Sequence, residues 1–119
     1  MRYMLDTNSI SALISKRSRP IRDRLDRAGL TDTSTSSLVY GEVRYGLIKN
    51  PEATRLAAAA TKFFAEIAIL PWTMETAEVY GVLRARMRRL GKALQPLDML
   101  IAAHALETGA ILVTNDRAF

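Results

Sequence analysis

Cysteine is absent from this 119-residue sequence, and histidine occurs once, as His104. Without cysteine the chain has no disulfide framework, no thiolate zinc site and no cysteine nucleophile. One histidine also supplies too few imidazole nitrogens for the usual His-rich zinc sites. These absences exclude the common zinc centres and thiol chemistry.

Long hydrophobic runs are also missing. The longest apolar stretches, such as Leu56–Ala60, are far shorter than the ~20 residues that a membrane-spanning helix requires. No early segment has the layout of a signal peptide, so we expect a cytoplasmic protein with no membrane partner. The sequence contains no repeat, low-complexity tract or linker, and residues 1–119 fit a single domain. Apolar residues make up 49% of the chain, which excludes the composition of a disordered protein.

Acidic residues are fewer than basic ones, 12 against 17, and 13 of the basic residues are arginine. Arginine binds phosphate and carboxylate groups with two parallel hydrogen bonds, which indicates a nucleic acid or an acidic protein as partner. The densest basic run has helical spacing and closely precedes Asp98, so it is a candidate for binding RNA phosphates; a solvated helix face is the alternative. The run comprises Arg84, Arg86, Arg88, Arg89 and Lys92.

Short apolar or β-branched segments alternate with longer helical ones. The predicted strands are Arg2–Leu5, Thr33–Ser36, Ile67–Leu70 and Ile111–Val113. The predicted helices are Ser9–Ser15 capped by Thr7 or Asn8, Arg19–Ala28 stopped by Gly29, Leu38–Ile48 capped by Ser37, Pro51–Ala65, Glu75–Leu90 closed by Gly91, and a last helix from Pro96 to about Glu107. This alternation predicts an α/β domain with a central parallel sheet of about four strands and helices on both faces.

Four acidic residues occupy related places in this pattern. Asp6 directly follows the first strand, and Glu42 lies early in the helix after the second strand. Asp98 lies in the first turn of the Pro96 helix, and Asp116 follows the last strand. Sites in parallel sheets form beyond the carboxyl ends of the strands, so we expect these four side chains at one rim.

Several carboxylates in one place repel one another unless a cation lies between them. An all-oxygen ligand set favours Mg²⁺ or Mn²⁺, which can activate a water molecule for phosphodiester hydrolysis. Each acid also has a purely structural interpretation. Asp6 would cap a helix, Glu42 would be solvated, Asp98 would favour a helix dipole, and Asp116 would belong to a turn.

The same segments resemble a known family. The opening Met4–Asn8 (MLDTN) resembles the start of PIN-domain proteins, and three later segments follow in the order seen in VapC toxins. These are Ser37–Glu42 (SLVYGE), Pro96–Ala105 (PLDMLIAAHA) and Leu112–Asp116 (LVTND). The resemblance spans nearly the whole chain, and the ordered set is more specific than any one segment.

The resemblance implies a three-layer PIN-like fold and a Mg²⁺- or Mn²⁺-dependent ribonuclease, the toxin of a type II toxin–antitoxin pair. It implies that Asp6, Glu42, Asp98 and Asp116 form the acidic metal site, supported by Thr7, Asn8, Thr114 and Asn115. It also implies a homodimer, a small antitoxin as partner, and structured RNA such as tRNA or ribosomal RNA as substrate. Family members generally continue past the segment matching Asp116–Phe119 into a final edge strand, which we expect to be missing from this sheet.

Other functional classes fit the sequence less well. A phosphoacceptor receiver domain has an acidic pair after its first strand, whereas Asp6 stands alone. A haloacid-dehalogenase-type phosphatase has Asp-x-Asp there, whereas the third position is Asn8. A PIN-like module that binds RNA or protein without cleaving it remains open, as does DNA as the substrate, because metal-assisted hydrolysis does not depend on the 2′-hydroxyl.

Overall fold

The computed structural model describes residues 2–15 and 19–114. Four strands form one sheet in the order β3-β2-β1-β4, and every neighbouring pair is parallel. The strands are β1 (Tyr3–Leu5), β2 (Thr33–Ser36), β3 (Ala68–Leu70) and β4 (Ile111–Val113). Leu5 is opposite Thr35 on one side and Val113 on the other, so the strands end at a common edge. The predicted parallel sheet is confirmed.

Within residues 2–15 and 19–114, six α-helices cover this sheet. They are α1 (Thr7–Ile14), α2 (Arg19–Ala28), α3 (Ser37–Lys49), α4 (Thr54–Glu66), α5 (Met74–Arg89) and α6 (Pro96–Thr108). Helix α1 packs on α2, α3 and α4, whereas α5 packs mainly on α6. Strands β1, β2 and β3 follow one another across the sheet, whereas β4 lies on the other side of β1. Because crossovers between parallel strands are right-handed, the first helical group (α1–α4) lies on one face of the sheet and the α5–α6 pair lies on the other. The predicted three-layer α/β/α architecture is confirmed.

Two helix caps lie one or two residues earlier than predicted. Helix α1 is capped by Asp6, whose Oδ1 accepts a hydrogen bond from the Ser9 backbone N–H at 2.8 Å. Helix α3 is capped by Ser36, whose Oγ accepts from the Leu38 backbone N–H at 3.1 Å. The predictions of Thr7 or Asn8, and of Ser37, as caps were wrong, whereas the alternative interpretation of Asp6 as a helix cap is confirmed. In each case the cap is the last residue with extended backbone before the helix, Asp6 just after β1 and Ser36 at the end of β2.

Strand β2 consists entirely of buried hydroxyl residues, Thr33, Ser34, Thr35 and Ser36. The Ser34 and Thr35 hydroxyls donate to the Tyr3 and Leu5 carbonyls of β1 at 2.9 and 2.8 Å. These bonds add side-chain links to the backbone ladder and satisfy polar groups that would otherwise be costly to bury. Ser36 instead contacts a side chain of α6, described below.

The hydrophobic core joins the sheet to the first helical group and to α6. Its buried members include Leu5, Ile10, Leu13, Leu25, Val39, Val43, Phe63, Phe64 and Ile101, with Leu97 packed against them. Within the part of the chain that the structure describes, no helix has the length and apolar character needed to cross a bilayer.

Candidate acidic active site

The carboxyl edge of the sheet is where the predicted site residues were expected. Strand β1 leads into Asp6, β2 into α3, and β4 into Thr114. Helix α6 also reaches this edge, because Trp72, just after β3, binds both α3 and α6. Its backbone N–H donates to Ser37 Oγ, and its indole Nε1 donates to the Leu100 carbonyl, each at 3.1 Å. The ends of the strands and the first turns of α3 and α6 are therefore held together here.

Asp6 is the acid whose position the structure fixes most closely. It is only 5% exposed. Its Oδ1 accepts from the Ser9 N–H, and its Oδ2 accepts a short hydrogen bond from the Thr114 hydroxyl. Ser9 Oγ in turn donates to the Val113 carbonyl at 3.1 Å. The two carboxylate oxygens are thus bonded to α1 and to the end of β4, so the carboxylate spans the β1–β4 seam in one orientation.

Thr7, the residue after Asp6, carries a hydroxyl oxygen at the start of α1. Its Oγ1 is buried and has no hydrogen-bond partner among residues 2–15 and 19–114. Buried hydroxyls are rarely left unbonded, and such an oxygen is suited to a cation or a cation-bound water. The oxygen chemistry around Asp6 therefore fits Mg²⁺ or Mn²⁺, which keep several waters and take only one or two carboxylates directly.

The structure describes the other three predicted ligands to different extents. Glu42 is exposed on α3, and Asp98 is half-buried at the third position of α6, after Pro96 and Leu97. Asp116 and its predicted supporting neighbour Asn115 lie outside the described residues. Among residues that are described, no three His, Asp or Glu side chains are close enough to share a metal ion. The elements meet at one edge, but the complete ligand set stays a prediction.

His104 is a buried polar residue whose partners the sequence did not indicate. It is 1% exposed, and its Nδ1 lies 2.8 Å from Ser36 Oγ. Burial lowers the pKa of His104 from its ordinary value of 6.5, and the nearby Glu107 charge and a hydrogen bond to the Pro71 backbone only partly offset this. The single histidine of the sequence is therefore packed in the interior of the domain. No pattern pointed to Ser36, 68 residues away.

The predicted RNA-binding run lies along the C-terminal half of α5 and just beyond it. Arg84, Arg86, Arg88, Arg89 and Lys92 are all exposed. Arg84 Nη1 donates to the Tyr80 hydroxyl at 3.0 Å, and the Tyr80 ring packs edge-on against Trp72 with ring centroids 6.2 Å apart. These contacts link the run to Trp72 at the carboxyl edge. Its binding to RNA stays a prediction.

Comparison with known proteins supplies the family. A family model described as the PIN domain matches residues 3–119. The chain belongs to the PIN-domain family. This PIN domain is 33% identical over 117 residues to ribonuclease VapC2 of Haemophilus influenzae, across 98% of this chain and 87% of that protein. It is 30% identical over 116 residues to the tRNA(fMet)-specific endonuclease VapC of Salmonella typhimurium, with the same coverage.

Solved structures agree with these relatives. The PIN domain superposes on a chain of the DNA-bound VapBC crystal structure from Salmonella typhimurium with a TM-score of 0.90 and 31% identity, over 100% of this chain and 90% of that one. It superposes on a chain of Rickettsia felis VapBC2, bound to a promoter DNA fragment, with a TM-score of 0.88 and 30% identity, over 98% and 89%. The VapC-type resemblance inferred from four short motifs is confirmed.

Proposed function

We propose that this PIN domain is the ribonuclease toxin of a type II toxin–antitoxin pair, and that it hydrolyses RNA with a divalent metal at the carboxyl edge of its sheet. The observation that carries this proposal is the full-length match to VapC ribonucleases. The buried Asp6 carboxylate at the expected edge supports it.

The site residues divide into metal ligands and supports. Asp6, Glu42, Asp98 and Asp116 would hold Mg²⁺ or Mn²⁺, which supplies an activated water and neutralises charge on the phosphoryl oxygens. Thr114 and the Ser9 N–H orient Asp6. The unbonded Thr7 hydroxyl would bind a metal-bound water. In this proposal Asn8 and Asn115 support the site by further hydrogen bonds.

The substrate and partners follow from the relatives and from charge. One relative is named as a tRNA(fMet)-specific endonuclease, and two structural neighbours are VapBC complexes. We therefore propose structured RNA, such as tRNA or ribosomal RNA loops, as substrate, and a small antitoxin as partner. The exposed arginines of α5 would bind RNA phosphates. Self-association as a homodimer and action in the cytoplasm belong to the same proposal.

One experiment tests the activity and identifies the substrate together. Purified protein is incubated with total cellular RNA in Mg²⁺ or in EDTA, and new RNA ends are mapped. We expect discrete ends in Mg²⁺ only, none with Glu42→Gln, and unchanged cleavage with Glu66→Gln, which alters an exposed acid at the end of α4. Binding without new ends would favour the non-catalytic module. Equal cleavage by wild type and Glu42→Gln would refute the site.

A further inference from the structure

The contact between His104 and Ser36 joins α6 to the junction of β2 and α3, which is far from α6 in the sequence. His104 lies in the middle of α6, and Ser36 is both the last residue of β2 and the cap of α3. The two side chains are almost fully enclosed and meet at 2.8 Å. A buried hydrogen bond between polar side chains holds a specific arrangement, because breaking it leaves both groups unsatisfied.

One assignment of the protons on Ser36 and His104 satisfies the neighbouring hydrogen bonds. Ser36 Oγ accepts from the Leu38 N–H, so its own hydrogen is free to point to His104 Nδ1. The other ring nitrogen can then donate to the Pro71 carbonyl, the backbone group that acts on the His104 pKa. The neutral Nε2–H tautomer satisfies every group in this chain of bonds, and the pKa of His104, lowered by burial, agrees with a neutral ring.

The position of this contact relates it to two of the proposed metal ligands. Glu42 lies six residues beyond Ser36 in α3, and Asp98 lies six residues before His104 in α6. At 1.5 Å per helical residue, each is about 9 Å along its helix from the contact. Trp72 provides a second link between the same two helices, through Ser37 and Leu100.

We propose that His104 is a positioning residue of the nuclease, which fixes the start of α3 against α6 through Ser36 and so sets Glu42 relative to Asp98. The proposal rests on the proposed function, because Glu42 and Asp98 matter only if they serve the metal site. His104 touches neither ligand and acts through the two helices.

Two substitutions separate the hydrogen bond from the packing. His104→Asn keeps a hydrogen-bond acceptor near the position of Nδ1. His104→Leu fills a similar volume but has no hydrogen-bond acceptor. Ile101→Val is the matched control, since it trims a buried side chain of the same helix and touches no hydrogen bond. We expect His104→Leu to lower kcat roughly tenfold or more with little change in KM, because small misplacements of reacting groups have large effects on rate. His104→Asn should stay within about threefold of wild type, and Ile101→Val should match wild type.

A distance measurement tests the positioning without relying on activity. The chain has no cysteine, so Tyr45→Cys on α3 and Leu106→Cys on α6, both highly exposed positions, can carry a pair of spin labels. We expect a narrow distribution of label distances in the otherwise unaltered protein, with His104→Asn and with Ile101→Val, and a broadened or shifted one with His104→Leu.

The two readouts distinguish the possible failures. A label distance unchanged in His104→Leu would overturn the positioning role, whatever the nuclease assay shows. A changed distance with wild-type kcat would also overturn it, because the contact would then be structural only. A changed distance in a protein whose wild type cleaves no RNA would refute the proposed function while confirming that His104 holds the helices.

Discussion

Replacing Asp6 by asparagine or by alanine separates its chemical role from its structural one. Asparagine caps helices about as well as aspartate, and its Oδ1 can still accept from the Ser9 N–H. Its amide can donate to the Thr114 hydroxyl where the carboxylate accepted from it. We therefore expect the free energy of unfolding of Asp6→Asn to stay within about 1 kcal/mol of wild type.

Alanine removes both interactions. Loss of the cap leaves the buried Ser9 N–H without its acceptor, and the hydrogen bond to the Thr114 hydroxyl is lost as well, for a total cost of about 2–3 kcal/mol. For a domain of this size, 1 kcal/mol corresponds to roughly 3–5 °C in melting temperature. Asp6→Ala should thus melt roughly 10 °C below wild type, and Asp6→Asn within about 5 °C of it.

The assay pairs thermal unfolding, followed by circular dichroism in EDTA, with RNA cleavage in saturating Mg²⁺. Cleavage by Asp6→Asn should fall at least about 100-fold, because the proposed metal ligand would lose its charge while keeping its position. An Asp6→Asn protein that folds normally and cleaves RNA at the wild-type rate would refute the catalytic assignment. One that melts as low as Asp6→Ala would refute the account of its hydrogen bonds.

Three further predictions follow from the site and its surroundings. Mg²⁺ or Mn²⁺ at ten times its Kd should stabilise the fold by about 1.4 kcal/mol, raising the melting temperature by roughly 5 °C; a melting temperature equal in metal and in EDTA would argue against the site. Because the pKa of His104 is lower in the folded state than 6.5, its contribution to stability is complete above pH 6.5 and is lost as pH falls below it towards the folded pKa. Urea unfolding of wild type should therefore lose more stability between pH 7.5 and 5 than that of His104→Asn, and parallel curves would contradict this. The double variant Arg84→Gln/Arg88→Gln should raise KM and flatten the salt dependence of RNA binding while leaving kcat unchanged, since phosphate contacts by exposed arginines act mainly on binding. A fall in kcat alone would mean that these arginines act on the chemical step instead of on RNA binding.

Most of the architecture could be predicted because hydrophobic pattern and helix stops agree along the chain. Helix α2 and strands β2 and β4 have the predicted bounds, and Gly29 follows α2 with a φ of 84°, which favours glycine. The sequence could not single out the caps, because Asp6-Thr7-Asn8 and Ser36-Ser37 each offer adjacent capping residues. Which of these residues becomes the cap depends on where the extended backbone ends.

The place of Asp6 at the carboxyl edge could be predicted from the sequence, but its contacts could not. A residue that directly follows a parallel strand lies at that edge, which is a property of topology and can be inferred from the strand pattern. The contacts Asp6–Thr114 and Ser36–His104 join residues 108 and 68 positions apart. Neither leaves a local pattern, because each depends on how the layers pack. The hydrogen bond from the Trp72 indole N–H to the Leu100 carbonyl is another contact of this kind.

The most direct test of the central claim is to locate the metal itself. Crystals of this PIN domain grown or soaked in Mn²⁺ would show the ion through its anomalous scattering. We expect a peak at the carboxyl edge, about 2.0–2.3 Å from an Asp6 carboxylate oxygen, with Asp98 and Glu42 facing it directly or through water. A fully occupied Mn²⁺ site elsewhere on the domain, with no Mn²⁺ bound to the Asp6 carboxylate, would contradict this expectation.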